Sequence, residues 1–360
     1  MEQKISLKGD WIKDYNAATQ VDSELPEASI RLSYDGTAQH LPPEDFARYD
    51  GQHFTSLSFE YSQLFIKYFD THLMAEAKRQ LTAGMDDLSC EYVERFCNLT
   101  QLCRLDGKAL VNVSEVWTQA DWDMMQRYLQ CKQAGQPALL QSVDLTWGTS
   151  FINCYGLYDV PEAKLNTING KAVIDAGGFI GDTITIFRNR FPQSQIHSFE
   201  PLPHNFEYMA RLFARDSKRG LVVPVNKGLG AQHETLKLTH MAKSDKFYAN
   251  SSLLFDYEGS VAYDEVEVIT LDQYVKEHDL NIGLIKMDVE GFEPQIVAGA
   301  LETIKRDRPV MTISIYHTPE EFFELKPLLE SLDLGYKFMI RHSSLIMPLG
   351  DIVLVAYPED

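Results

Sequence analysis

Basic residues are scarce. Lys and Arg total 33 against 52 Asp and Glu, a net charge of −19. A field of that sign repels phosphate backbones and anionic headgroups, which argues against nucleic acid and membrane surfaces as partners. No apolar run approaches the roughly 18 residues that would cross a bilayer. The opening Met1-Glu2-Gln3-Lys4-Ile5-Ser6 lacks the apolar core of a secretion signal. Cysteine is sparse and unpatterned. Cys90, Cys97, Cys103, Cys131 and Cys154 are odd in number and show no CxxC spacing, so neither a disulfide framework nor a zinc cluster is indicated. The reading is a reduced, cytoplasmic protein. What is present, 44% hydrophobic and 24% charged residues over 360 positions, suits one large or two ordinary globular domains.

The two parts of the chain differ in period. Residues 1–50 are polar and turn-rich, broken at Pro42-Pro43. From about 54 to 135 the apolar spacing is helical, and it predicts helices over Ser58–Leu81, Asp87–Leu105 and Ser114 or Asp121 to Lys132. Tyr61, Phe65, Tyr68, Phe69, Trp117, Trp122 and Tyr128 fall at helical spacing and read as core, with self-association or acceptor recognition as the other uses of such faces. Beyond about 150, short β-rich runs alternate with helical segments: Lys171–Asp175, Gln195–Phe199, Leu221–Val225, Leu284–Met287 and Val310–Tyr316 read as strands. Glu234–Leu238 and Val266–Ile269 flank a polar stretch, Met241–Asp264, that reads either as a lid or as a surface excursion. Tyr336–Arg341 and Ile352–Tyr357 read as an antiparallel ending. The expected organisation is a mainly helical region over 1–150 and, over 151–360, an α/β, doubly wound, Rossmann-like and mostly parallel sheet with an antiparallel C-terminal edge. Ligands of such a sheet bind beyond the carboxyl ends of its strands.

At the end of the first of these strands the chain reads Val173-Ile-Asp-Ala-Gly-Gly-Phe-Ile-Gly-Asp-Thr183, a strand, a glycine turn and a helix start. Gly177, Gly178 and Gly181 permit close approach of a ligand and of helix to strand. Asp175 is the discriminating residue. A dinucleotide would bring its pyrophosphate here, where a carboxylate repels it, and Ala176 stands where GxGxxG begins with glycine. A cationic cofactor without phosphate fits better, and S-adenosylmethionine carries both a sulfonium and an ammonium group. Asp182 and Thr183 open the following helix. Glu200, 25 positions after Asp175 and at the next strand end, suits a pair of ribose hydroxyls. An acid there also suits the helix start at Pro201. Asn226 stands where an adenine edge would lie, or is a turn residue before Gly228 and Gly230.

From about Phe151 to Tyr357 the sequence resembles the FkbM-type methyltransferases, a branch of the class I S-adenosylmethionine-dependent enzymes. The resemblance rests on Val173–Asp182, Ser198-Phe-Glu-Pro201, Val225-Asn-Lys-Gly-Leu-Gly230, Ile269-Thr-Leu-Asp272, Leu284-Ile-Lys-Met-Asp-Val-Glu-Gly291 and Ile313-Ser-Ile-Tyr-His-Thr-Pro319, in that order. It implies methyl transfer to a hydroxyl of a sugar or natural product, hence a small-molecule or glycan acceptor; the first 150 residues find no counterpart in it. Methyl transfer to an alcohol needs an aligned oxygen and a proton acceptor. Asp288 and Glu290, two apart after one strand, could face the crevice together, and His317 follows the next strand. Two mechanisms follow: His317 as general base, oriented by Asp288 or Glu290, or a divalent ion held by all three. The first, without metal, is the working expectation, because Mg²⁺ prefers all-oxygen shells. His317 could also be a capping or core histidine, and the acids could cap the helix from Glu293. Lys286 reads as structural or paired to a nearby acid. A nicotinamide-dependent oxidoreductase and a non-catalytic partner-binding subunit are the competing classes, and a homo-oligomer formed through the N-terminal helices is a further expectation.

Overall fold

The computed structural model describes residues 54–104, 107–112, 116–134, 145–241, 251–252, 261–345 and 348–359. Its strands are β1 (Phe54–Ser58), β2 (Lys108–Asn112), β3 (Ala172–Ala176), β4 (Ile196–Phe199), β5 (Val222–Val225), β6 (Gly228–Leu229), β7 (Glu234–Met241), β8 (Ser251–Ser252), β9 (Val261–Ile269), β10 (Ile282–Met287), β11 (Val310–Ser314), β12 (Tyr336–His342) and β13 (Ile352–Pro358). The helices are α1 (Ser62–Thr71), α2 (Met74–Thr82), α3 (Asp87–Leu102), α4 (Gln119–Gln133), α5 (Leu145–Asn153), α6 (Glu162–Asn166), α7 (Asp182–Arg190), α8 (Pro203–Leu212), α9 (Ala214–Lys218), α10 (Leu271–Glu277), α11 (Glu293–Ala298), α12 (Leu301–Asp307) and α13 (Pro319–Glu330).

Seven strands form the main sheet in the order β12-β13-β11-β10-β3-β4-β5. The five from β11 to β5 are parallel, and β13 pairs antiparallel with both β11 and β12. This is the expected doubly wound α/β sheet with an antiparallel C-terminal edge. Helices cover both faces, so β3 and β10 are buried along their whole length and read as continuous apolar runs. The pleat sends Ile174, Ile285 and Met287 into one core, with Phe65, Phe96 and Phe322. Val173 and Leu284 enter the opposite core, with Tyr128, Phe187 and Phe191. After β3 the chain winds outward to β4 and β5; β10 and β11 lie on its other side. The order therefore reverses between β3 and β10, where a crevice opens.

Helices α1 to α3 join the first of these cores, and α4 joins the second. Phe96 stacks on Phe322 of α13 with ring centroids 4.2 Å apart, and Tyr68 stacks on Phe323 at 5.1 Å. Phe65, Tyr68 and Phe69 are thus covered by the chain's own α13. A clamp adds to this: Arg341 on β12 bonds Asp86, the N-cap of α3, at 2.6 Å and Asp159 at 2.5 Å. The expected single helix over Ser58–Leu81 is two, because His72 leaves helical geometry with its ring stacked on Tyr68 and Nδ1 3.0 Å from the Tyr68 carbonyl. The antiparallel pair β1–β2 carried no local sign, since its strands lie some fifty positions apart. Strands β6 to β9 form a second sheet, in which β7 and β9 run longer than their apolar cores suggested. Residues 1–53, and most of the stretch read as lid or surface excursion, lie outside the described residues.

Candidate functional site

The carboxyl ends of β10, β3 and β4 are in step: Met287 pairs with Ala176, and Ala176 with Phe199. Gly177, Asp288 and Glu200 therefore follow one another along one rim. Gly177 has φ +83°, and a Cβ there would lie 1.9 Å from the Asp288 carbonyl oxygen. A Cβ at Gly178 would meet Ser198 Oγ at 2.2 Å, and one at Gly181 the Phe213 ring at 2.3 Å. The glycines were expected to admit a ligand. In the structure their immediate reason is internal, because turn, α8 and the Asp288 loop pack closer than any side chain allows.

Asp175 is not the unpaired charge that the spacing suggested. It is fully buried, accepts a hydrogen bond from Ser198 Oγ at 2.7 Å and lies 3.2 Å from Lys286 Nζ. Lys286 also donates to the Gly177 carbonyl at 2.7 Å. Burial opposes the lysine's charge, but Asp175, Asp288 and Asp182 outweigh it and hold the ammonium above its ordinary value. Pairing to an acid was the expectation for Lys286. The rim keeps a negative balance all the same, with one lysine among three carboxylates. The anionic floor thus involves Asp288 as well as Asp175.

Asp182 begins α7, and burial pushes its carboxyl up to about 7, Lys286 opposing and Asp175 reinforcing. Among the described residues its Oδ1 and the Thr183 Oγ1 are buried without a hydrogen-bond partner. Glu200 is buried, and its two oxygens accept from the Phe179 and Leu202 amides at 2.9 Å each. Burial pushes its carboxyl up to about 8 against those bonds. Asn205 adds a side-chain hydrogen bond to the same carboxyl. Asn226 is exposed and donates from Nδ2 to the Glu200 carbonyl at 2.9 Å and the Pro201 carbonyl at 3.1 Å, which is turn chemistry. These residues fit a ligand with hydroxyl and cationic groups: buried polar atoms await partners at the α7 start, and the surrounding charge is negative.

The second half of the rim centres on His317. Its Nε2 lies 3.7 Å from Asp288 Oδ1 and 3.7 Å from Glu290 Oε2; its Nδ1 lies 3.5 Å from Glu293 Oε1 and 3.5 Å from Glu321 Oε2. Asp288 and Glu290 do converge, although not as neighbours on a strand. β10 stops at Met287, and Glu290 turns back in left-handed conformation at φ +57° before Gly291 at φ +103°. That conformation costs about 1–2 kcal/mol for a residue with a Cβ. Glu293 accepts from the Val289 and Gly291 amides and fixes this loop from behind. Glu321 completes the Thr318 capping box of α13. Burial opposes a charge on His317, but Glu293, Glu290 and Asp288 prevail and raise its pKa. Burial likewise pushes Glu290 up to about 7, with His317 opposing.

His317 is fully buried, whereas the side chains of Asp288 and Glu290 are 27% and 19% exposed. A general base must come within hydrogen-bond reach of the proton it removes. Enclosure behind two carboxylates and a raised pKa both count against His317 in that role.

Three tyrosines stand at the site, of which Tyr155 was not singled out from the sequence, Tyr61 was read mainly as core and Tyr316 was noted only as the neighbour of His317. Tyr61 donates to Glu290 Oε2 at 2.7 Å, and its ring meets His317 edge-on at 5.5 Å. Tyr155 donates to Asp288 Oδ2, and its ring lies 5.3 Å from Lys286 Nζ. Tyr316 lies against His317 at 4.0 Å. The one local sign for Tyr155 is Gly156: Cys154, Tyr155 and Gly156 all have positive φ, a tight reversal after α5.

The crevice of this parallel α/β sheet thus combines a glycine turn, an acid at the next strand end and an acid–histidine cluster. Residues 175–338, a little under half of the chain, match the model of the methyltransferase FkbM domain, and the chain is a methyltransferase. It is 26% identical over 212 residues to "Methyltransferase 1" of Beauveria bassiana, covering 54% of this chain and 82% of that protein. It is 24% identical over 176 residues to "Methyltransferase sdnD" of Sordaria araneosa, covering 42% and 65%. Among solved structures, an FkbM methyltransferase from Methylobacillus flagellatus KT is similar with a TM-score of 0.40 and 17% identity, over 66% of this chain and 61% of that one. Among the described residues no helix is long and apolar enough to cross a membrane.

Proposed function

We propose that the chain is an S-adenosylmethionine-dependent O-methyltransferase acting on a sugar hydroxyl in a glycan precursor or glycosylated small molecule. The observation that carries this is the pair of partly exposed carboxylates, Asp288 and Glu290, standing beside the glycine turn. S-adenosylmethionine supplies an activated methyl group. The Gly177–Gly181 turn, Asp182 and Thr183 would hold its charged end, and Glu200 its ribose hydroxyls. Asp288 and Glu290 bind the acceptor hydroxyl and take its proton. Tyr155 and Tyr61 hold these carboxylates in place, and His317 balances their charge from behind. The sugar assignment rests on the resemblance and on the chemistry of the rim: carboxylates beside tyrosine rings suit a polyhydroxylated ligand.

Calorimetry with S-adenosylmethionine and with NAD, followed by transfer of labelled methyl groups to a panel of sugars and glycosides, tests the reading. Binding of the first alone and label in an ether-linked methyl group are expected. No S-adenosylmethionine binding at millimolar concentration would overturn it.

A further inference from the structure

His317 is enclosed in an unusual way. It is fully buried, and neither ring nitrogen makes a hydrogen bond among the described residues. Buried imidazoles are ordinarily fixed by such bonds. Instead four carboxylates face its two nitrogens at 3.5–3.7 Å, beyond good hydrogen-bond geometry. As imidazolium it would supply one positive charge to four acids. One oxygen of Asp288, one of Glu293 and one ring nitrogen of His317 lie within 4.8 Å of one another. Neighbouring ligands of a divalent ion at ~2.1 Å stand ~3 Å apart in octahedral geometry. Asp288 faces Nε2 and Glu293 faces Nδ1, so around an ion on either nitrogen the farther carboxylate would close by up to about 1.8 Å.

We infer that Asp288, Glu293 and His317 form a divalent-cation site of the Mn²⁺ class. A mixed set of one imidazole and two carboxylates suits Mn²⁺ better than Mg²⁺, which prefers oxygen alone. Glu293 is a ligand that strand-end reasoning passed over. Its burial and its bonds to the Val289 and Gly291 amides make it the preorganised member. Tyr155 orients Asp288 from the opposite side. Three protein ligands leave coordination positions for water or an acceptor oxygen. The site itself does not depend on the proposed methyl transfer.

The test uses the full chain, stripped with chelator and titrated with MnCl₂ at neutral pH, with free Mn²⁺ read by electron paramagnetic resonance. One ion per chain at micromolar concentration is expected, together with a rise in Tm on Mn²⁺ addition. Glu293→Gln and His317→Ala should each weaken binding at least about tenfold. Asp288→Asn, at a partly exposed position, provides the same readout if the buried variants fail to fold. Glu267→Gln, an exposed acid paired with Lys227, should leave binding unchanged and so discounts general attraction to an acidic chain. No binding below millimolar Mn²⁺, or binding indifferent to all three cluster substitutions, would overturn the inference and leave protons as the counter-charge. S-adenosylmethionine affinity measured on the same preparation separates this outcome from failure of the functional reading.

Discussion

The donor half of the crevice and its acceptor half are built in different ways. The donor half runs from Asp175 to Glu200, two strand ends and a helix start within 26 residues. Its parts are held by backbone amides and glycine contacts. The acceptor half gathers Tyr61, Tyr155, Asp288, Glu290, Glu293, His317 and Glu321, drawn from along almost the whole described chain. Its parts are side chains held by one another, in left-handed turns at Tyr155 and Glu290. A local unit fixes what every user of the donor needs. A long-range unit can change with the acceptor while the sheet stays put.

Gly177→Ala should have the largest effect, because it breaks that separation. The added methyl meets the Asp288 carbonyl, so one change at the donor turn displaces the acceptor loop. Overpacking and left-handed strain together should remove about 2–4 kcal/mol of stability, measured by denaturant unfolding, with donor affinity and turnover falling together. His317→Ala should act on the acceptor half alone. Left without their buried counter-charge, the carboxylates should lose about a hundredfold or more in turnover, with donor Kd within about twofold; near-normal turnover would show that they need no counter-charge.

Glu200→Ala is the mirror experiment. Leaving hydroxyls unpaired should weaken donor binding by about 1–3 kcal/mol by calorimetry, and unchanged affinity would remove Glu200 from the site. Tyr61→Phe removes one hydrogen bond to Glu290, worth about 1 kcal/mol, so kcat should drop about fivefold with donor Kd unchanged. A shift in donor Kd instead would join the two halves. The smallest effect concerns the clamp between the N-terminal helices and β12. Burial disfavours ionised Asp86, but bonds from Arg341 and Ser89 hold its carboxyl down at about 2. A carboxyl lowered from its ordinary value of about 4 stabilises the fold above that pH and loses the contribution as pH falls through 2. The Tm advantage of the wild type over Asp86→Asn should therefore be constant from pH 7 to 5 and vanish between about 4 and 2.

The sheet was legible because its strands are buried on both faces and separated by helices, a pattern carried by consecutive residues. Gly177, Gly178, Asp182 and Glu200 were legible for the same reason. Asp175 was found without its partner: Lys286 reads as structural or paired to a nearby acid, and only the pairing of β10 with β3 shows that the acid is Asp175. Asp288, Glu290 and His317 were found as strand-end residues, yet nothing in their spacing puts the imidazole behind the acids. Tyr61 was read first as core, with acceptor recognition as an alternative, since an aromatic at helical spacing looks like core and this one is also core.

The sequence by itself determined the alternation of strand and helix, the place where the sheet reverses, and the acidic, glycine-lined turn beside it, because each follows from side-chain period and backbone freedom over a few residues. The tertiary structure decided which charges are paired, which ring is enclosed and which tyrosines reach the rim. Those outcomes depend on distances between residues far apart in the chain, and they exist only once helices α1 to α3 and α13 share a core.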